Sequence, residues 1–132
     1  MFTVAVSDHV MIAHSFADPF FGPAQRLHGA TYAIDLEVHA PSLGPHDVVM
    51  DIGALQSLLR AILAELDYRN LDEHAAFAGR LSTTERVAQH VADRASASIA
   101  TLDADGAPVA GATVRVVARE SPTAYAAYSR PV

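Results

Sequence analysis

The stretch QRLHGATYAIDLEVHA, residues 25–40, alternates between two kinds of side chain. Tyr32, Ile34, Leu36 and Val38 share one parity; Thr31, Ala33, Asp35, Glu37 and His39 share the other. Successive side chains of an extended strand point to opposite faces, so this pattern predicts a strand with one buried and one wet face. Such a strand belongs in an antiparallel sheet rather than in a parallel sheet covered on both sides. At its start, His28 and Gly29 are followed by Ala30.

A second β-rich segment precedes it. FTVAVSDHVMIAHSF alternates at Phe2, Val4 and Val6 and again at Val10, Ile12 and His14. Ser7-Asp8 interrupts the apolar rhythm and reads as a bulge in one long strand. ADPFFGPAQR, with two Pro and one Gly, predicts the loop between the two strands. Downstream, ALQSLLRAILAEL carries apolar residues at helical spacing, with Asp51 as N-cap. LSTTERVAQHVADRASASI predicts a second helix, with Ser82 and Glu85 as a capping box. DADGAP reads as a turn, with Asp105-Gly106 suited to a hairpin. VRVVARE and AYAAYSRPV are two terminal strands joined through Ser121-Pro122-Thr123. The order ββααββ predicts an α+β domain: a four-stranded antiparallel sheet with two helices on one face, and open edges that invite pairing with further copies.

Composition narrows the function. At 132 residues the chain is most simply one domain, residues 1–132. Its net charge is −6 and its nine basic residues, all Arg, are scattered. Nucleic acid and membrane surfaces are anionic, so neither partner is expected. There is no cysteine, which excludes disulfides, a thiol nucleophile and a thiolate ligand. No apolar run approaches the ~20 residues of a membrane span and no basic leader is visible, so a cytoplasmic location is the default expectation.

Three groups of residues can carry chemistry. His14 and His28 lie at adjoining strand ends, where they either share a cavity as metal ligands or are partly buried and hydrogen-bonded; a catalytic zinc needs three protein ligands. Asp67 beside Tyr68 offers an acid and a phenol for proton transfer, or else only ends a helix. Glu120 either accepts paired N–H groups from a guanidine-like ring or is solvated beside a turn. His39, His46, His74 and His90 fall in turns or on helix faces and are expected to be solvated.

Taken in order, these features resemble the 6-pyruvoyl-tetrahydropterin synthase and 6-carboxytetrahydropterin synthase family. The landmarks are Ile12-Ala13-His14, His28-Gly29-Ala30-Thr31-Tyr32, Val49-Met50-Asp51-Ile52-Gly53, Leu66-Asp67-Tyr68-Arg69-Asn70-Leu71-Asp72, Ser82-Thr83-Thr84-Glu85 and Glu120-Ser121. The resemblance implies the T-fold (tunnelling fold), whose ββααββ units join into an oligomeric β-barrel, commonly a trimer or hexamer, with active sites between subunits. It implies a pterin-like heterocycle as ligand, with dihydroneopterin triphosphate as the substrate if the 6-carboxytetrahydropterin type of lyase chemistry is kept. It also implies Glu120 as ring anchor with Thr84 and Glu85 beside it, Asp67 and residue 68 in proton transfer, and zinc on His14 and His28. Three family positions are changed: the third zinc histidine is Ala30, the catalytic cysteine is Ala24, and the acid/base histidine is Tyr68. A repurposed enzyme, a non-catalytic ligand-binding oligomer and a structural oligomer with an empty pocket are the readings these changes allow.

Overall fold

The computed structural model describes residues 1–132. Two long strands, β1 (Phe2–His14) and β2 (His28–Ala40), run antiparallel and pair residue for residue, from Phe2 opposite Ala40 to His14 opposite His28. Helices α1 (Ile52–Ala64) and α2 (Thr84–Ile99) follow, separated by a two-residue strand, β3 (Arg69–Asn70). Strands β4 (Thr113–Ser121) and β5 (Ala124–Pro131) complete the chain. The sheet order is β3-β1-β2-β4-β5.

The expected four strands are present, and β3 adds a fifth at the β1 edge, parallel to Ile12 and Ala13. No bulge occurs in β1. Its pairing with β2 is continuous, because Ser7 and Asp8 both find partners in place. Ser7 Oγ donates to Asp35 Oδ1 at 2.6 Å, while Asp8 meets Arg60 of α1 at 3.9 Å. A carboxylate is therefore tolerated between Val6 and Val10 without breaking the ladder. The Pro-rich connection from β1 to β2 is not plain loop: Pro19–Gln25 forms a 3₁₀ helix, kinked at Gly22, whose φ is 54°.

Both helices cover the same face of the sheet, α1 against β1 and α2 against β4 and β5. The strand face carrying Tyr32, Ile34, Leu36 and Val38 is fully covered, against Leu55, Leu59, Ile62 and Leu63 of α1 and Val87 and Val91 of α2. Ala88, Ala92 and Ala95 let α2 lie close on the sheet. Each fully buried Leu or Ile contributes about 2 kcal/mol through removal from water. Asp51 caps α1 as expected, accepting from the N–H groups of Gly53 and Ala54. At α2 the capping box does not form. Thr83 is the N-cap and accepts from Arg86 N–H, while Ser82 is buried elsewhere. Asp105-Gly106 lies in the connection between α2 and β4 rather than in a hairpin; the β4–β5 hairpin turns at Pro122-Thr123.

Two features define the ends of this frame. After α1, Asp67 and Tyr68 turn back onto β1: Asp67 Oδ1 accepts from Met11 N–H at 2.9 Å, and Tyr68 N–H donates to Met11 O at 2.7 Å. Tyr68 adopts φ 58°, a left-handed conformation unfavourable for a bulky residue, and stands 79% exposed. At the His14–His28 end, the first turn of α2 approaches the sheet and leaves a cavity.

Candidate active-site pocket

That cavity measures about 640 Å³ and is bordered by His14, His28, Ala30, Tyr32, Thr84, Glu85 and Glu120, with Phe16, Phe21 and Ala24 closing one side. Its size falls in the range of small-molecule sites. Four elements meet here: the end of β1, the start of β2, the first turn of α2 and the end of β4. Residues 14, 28, 84, 85 and 120, distant in sequence, become neighbours because β1 and β2 pair in full register and Glu120 lies near the end of the adjoining β4.

The imidazoles are held in one orientation. His14 is 2% exposed, and its Nδ1 lies 3.0 Å from Ser82 O and 3.1 Å from Ser82 Oγ. A carbonyl oxygen only accepts, so His14 Nδ1 carries the proton and, in the neutral ring, Nε2 keeps its lone pair. The same logic applies to His28, whose Nδ1 donates to Arg26 O at 2.8 Å. The two rings stand edge to face with centroids 4.6 Å apart. Burial, reinforced by His28, lowers the His14 pKa, which favours the neutral ring with its lone pair at Nε2. Tyr32 moves in the opposite direction. Burial raises its pKa; the Thr84 hydroxyl acts against the rise, and the Glu120 and Glu85 carboxylates add to it. Its phenol therefore stays protonated and can donate.

This donor set does not suit a resident catalytic zinc. Two imidazoles with backbone-anchored Nδ1 are oriented as metal ligands are. The third place is the methyl group of Ala30, and no three or more His, Cys, Asp or Glu side chains are placed to hold one metal ion together. Catalytic zinc sites use three protein ligands.

The structure brings together five of the seven residues singled out in the sequence: His14, His28, Thr84, Glu85 and Glu120. Asp67 and Tyr68 do not border the pocket of their own chain; they lie on the β3 side of β1, with the Asp67 carboxylate engaged by Met11 N–H. Sequence reasoning missed Ser82, which fixes the His14 tautomer, and the aromatic wall of Phe16 and Phe21, whose rings are 4.6 Å apart. The aromatic run Phe16, Phe20, Phe21 was a usable signal; Ser82 was obscured by its resemblance to a helix cap. Three of the histidines expected to be solvated are not simply so. His74 Nδ1 accepts from Ala76 N–H at 3.1 Å. His39 lies in β2 between Thr3 Oγ1 at 2.7 Å and Glu37 at 2.8 Å, and the Nε2 of His90 is enclosed by protein.

Comparison with known proteins bears on the fold and the family. A curated relative, the 6-carboxy-5,6,7,8-tetrahydropterin synthase of Bacillus subtilis, is 29% identical over 124 residues, covering 91% of this chain and 80% of the relative. Among solved structures, 6-pyruvoyl tetrahydropterin synthase of Caenorhabditis elegans superposes with a TM-score of 0.77 at 21% identity, covering 98% of this chain and 95% of that one. The Plasmodium vivax 6-pyruvoyl tetrahydropterin synthase gives 0.75 at 16% identity over the whole of both chains. These likenesses establish the T-fold. Residues 3–131 match the sequence model of 6-pyruvoyl tetrahydropterin synthase, and the chain belongs to that family.

Proposed function

We propose that this pocket binds a pterin-type ring and that the chain acts on it as a lyase-type enzyme with altered catalytic groups. The observation that supports this most directly is the convergence of Glu120, Glu85, Thr84, Tyr32 and the two oriented imidazoles on one cavity. Glu120 accepts paired N–H groups from the edge of the ring, the planar two-point contact that a carboxylate makes well. Tyr32 and Thr84 supply hydroxyl donors. With Ala30 in the third ligand position, His14 and His28 act directly, their Nε2 lone pairs taking hydrogen bonds or a proton from the ring's side chain. Ala24 leaves no thiol to share that work.

The second acid/base group comes from another copy of the chain. Tyr68 is exposed at the sheet edge beside β3, and open edges pair with further copies. In this reading Asp67 and Tyr68 of a neighbouring subunit face the pocket, in a homo-oligomer of trimeric or hexameric form. Asp67 holds the β1 backbone, and Tyr68, held in its turn by Met11 O, exchanges the proton.

The test is incubation of metal-stripped protein with dihydroneopterin triphosphate, with and without added Zn²⁺, followed by chromatography of the products. The proposal expects the ring to bind and its side chain to be converted. No binding and no product overturn it. Tight binding without turnover supports the second reading, a non-catalytic pterin-binding oligomer, which the methyl groups of Ala24 and Ala30 in the pocket wall favour.

A further inference from the structure

Five of the nine arginines are matched by carboxylates: Arg60 with Asp8, Arg94 with Glu65, Arg115 with Glu37, Arg119 with Asp35 and Arg130 with Asp93. Of the remaining four, Arg80 and Arg86 border one cavity, apart from the ring pocket, of about 210 Å³. Arg86, Gln89, His90 and Asp93 form one face of α2, and Phe77 and Arg80 close the cavity from the preceding segment. Gln89 Oε1 accepts from the Arg86 guanidinium at 2.7 Å, which steadies that side chain along the wall. The Asp93 carboxylate in the lining is engaged by Arg130 at 2.7 Å.

His90 is the second observation. Its Nε2 is enclosed by protein and has no hydrogen-bond partner. Its ring packs against Phe77 at 5.5 Å and His74 at 6.1 Å. His74 offers no acceptor at Nδ1, which is used by Ala76 N–H at 3.1 Å. A polar atom enclosed without a partner carries a desolvation cost and calls for a missing partner. Two guanidinium groups without a carboxylate partner line the same cavity and favour an anion there.

We propose that this cavity is an oxyanion site that takes a phosphate ion or a phosphoryl group, held by Arg80 and Arg86 beside the His90 ring. The guanidinium fork matches two phosphate oxygens at once. The volume lies below the ~300 Å³ at which pockets begin to hold drug-sized molecules, so it suits a tetrahedral anion and not a ring. The electrostatics agree. Burial lowers the His90 pKa, and the cationic influences of His74 and Arg94 lower it further, against weaker opposition from Glu65 and Asp93. Arg80 and Arg86 line the same cavity as His90. An anion there draws its pKa back up, so binding strengthens as pH falls.

The test is titration of the full chain with inorganic phosphate at constant ionic strength, followed by calorimetry and by the NMR titration of the His90 ring. The proposal expects saturable binding and an upward shift of the His90 titration when phosphate is present. Arg80→Gln and Arg86→Gln should each weaken binding about tenfold or more, while Arg26→Gln, which removes an unmatched arginine outside the cavity, leaves it unchanged. A parallel titration with methyl phosphate separates the two sources. Binding as tight as phosphate assigns the phosphoryl group of a small molecule, and binding of phosphate alone assigns the free ion. No saturable binding of either, or equal loss in Arg26→Gln and Arg86→Gln, overturns the site.

Discussion

His14 and His90 make the fold acid-labile; the structure sets the direction of the effect, and the pKa of a free imidazole sets its ceiling. Both have pKa values lowered in the folded chain, chiefly by burial. In the unfolded chain each titrates near ~6.5. Below that value the unfolded state binds the extra protons, so stability falls as pH falls toward the folded-state pKa and is fully present above ~6.5. One pH unit below the unfolded value, each group removes at most about 1.4 kcal/mol, and the two together about 2.8 kcal/mol. With an unfolding entropy of roughly 2.1 cal/mol/K per residue, a chain of 132 residues loses up to about 10 °C in Tm. The assay is thermal unfolding by circular dichroism at about pH 7.5 and about pH 5.5, with chelator present and protein concentration fixed. His14→Gln and His90→Gln should each remove about half of the acid-induced loss, and the double variant most of it. An equal loss in the wild type and the double variant refutes the reasoning, because the burial of these imidazoles would then carry no protonation cost.

Three further outcomes are expected. Ala30→His supplies the imidazole that the metal site lacks, so this variant should retain Zn²⁺ through dialysis, measured by atomic absorption, while the wild type does not; equal retention removes the argument from ligand number. Tyr68→Gly relieves a left-handed conformation and should raise stability by about 1 kcal/mol in chemical denaturation, while abolishing any turnover; retained turnover removes Tyr68 from the chemistry. Leu59→Ala leaves a hole between α1 and the sheet and should lower stability by about 3 kcal/mol in urea unfolding, without a change in ring affinity.

The order of elements was legible because burial in this fold follows simple periods. The alternation from Tyr32 to Val38 reports a strand with one covered face, and the spacing of Leu55, Leu59, Ile62 and Leu63 reports a helix lying on it. Where sequence reasoning went astray, a tertiary contact had overridden a local signal. Ser7-Asp8 looks like a bulge until Asp35 and Arg60, distant in sequence, take up the polar atoms. Ser82 looks like a helix cap, yet it is drawn inward by His14, and Thr83 caps in its place. β3 has only two residues and no periodicity to read; it exists because the turn after α1 is fastened to Met11. Five of the seven candidate residues named through family resemblance line one cavity. The placement of Asp67 and Tyr68 away from that cavity was not legible, since no local pattern tells which side of β1 Tyr68 occupies.

The most direct test of the central claim is calorimetric titration of metal-free protein with neopterin, wild type against Glu120→Gln. A charge-assisted hydrogen bond contributes about 1.5–3 kcal/mol, so the account predicts that the substitution weakens ring binding by roughly 10- to 100-fold while leaving Tm unchanged. Equal affinity in the two proteins contradicts the assignment of Glu120 as the ring anchor, and with it the reading of this pocket as a pterin site.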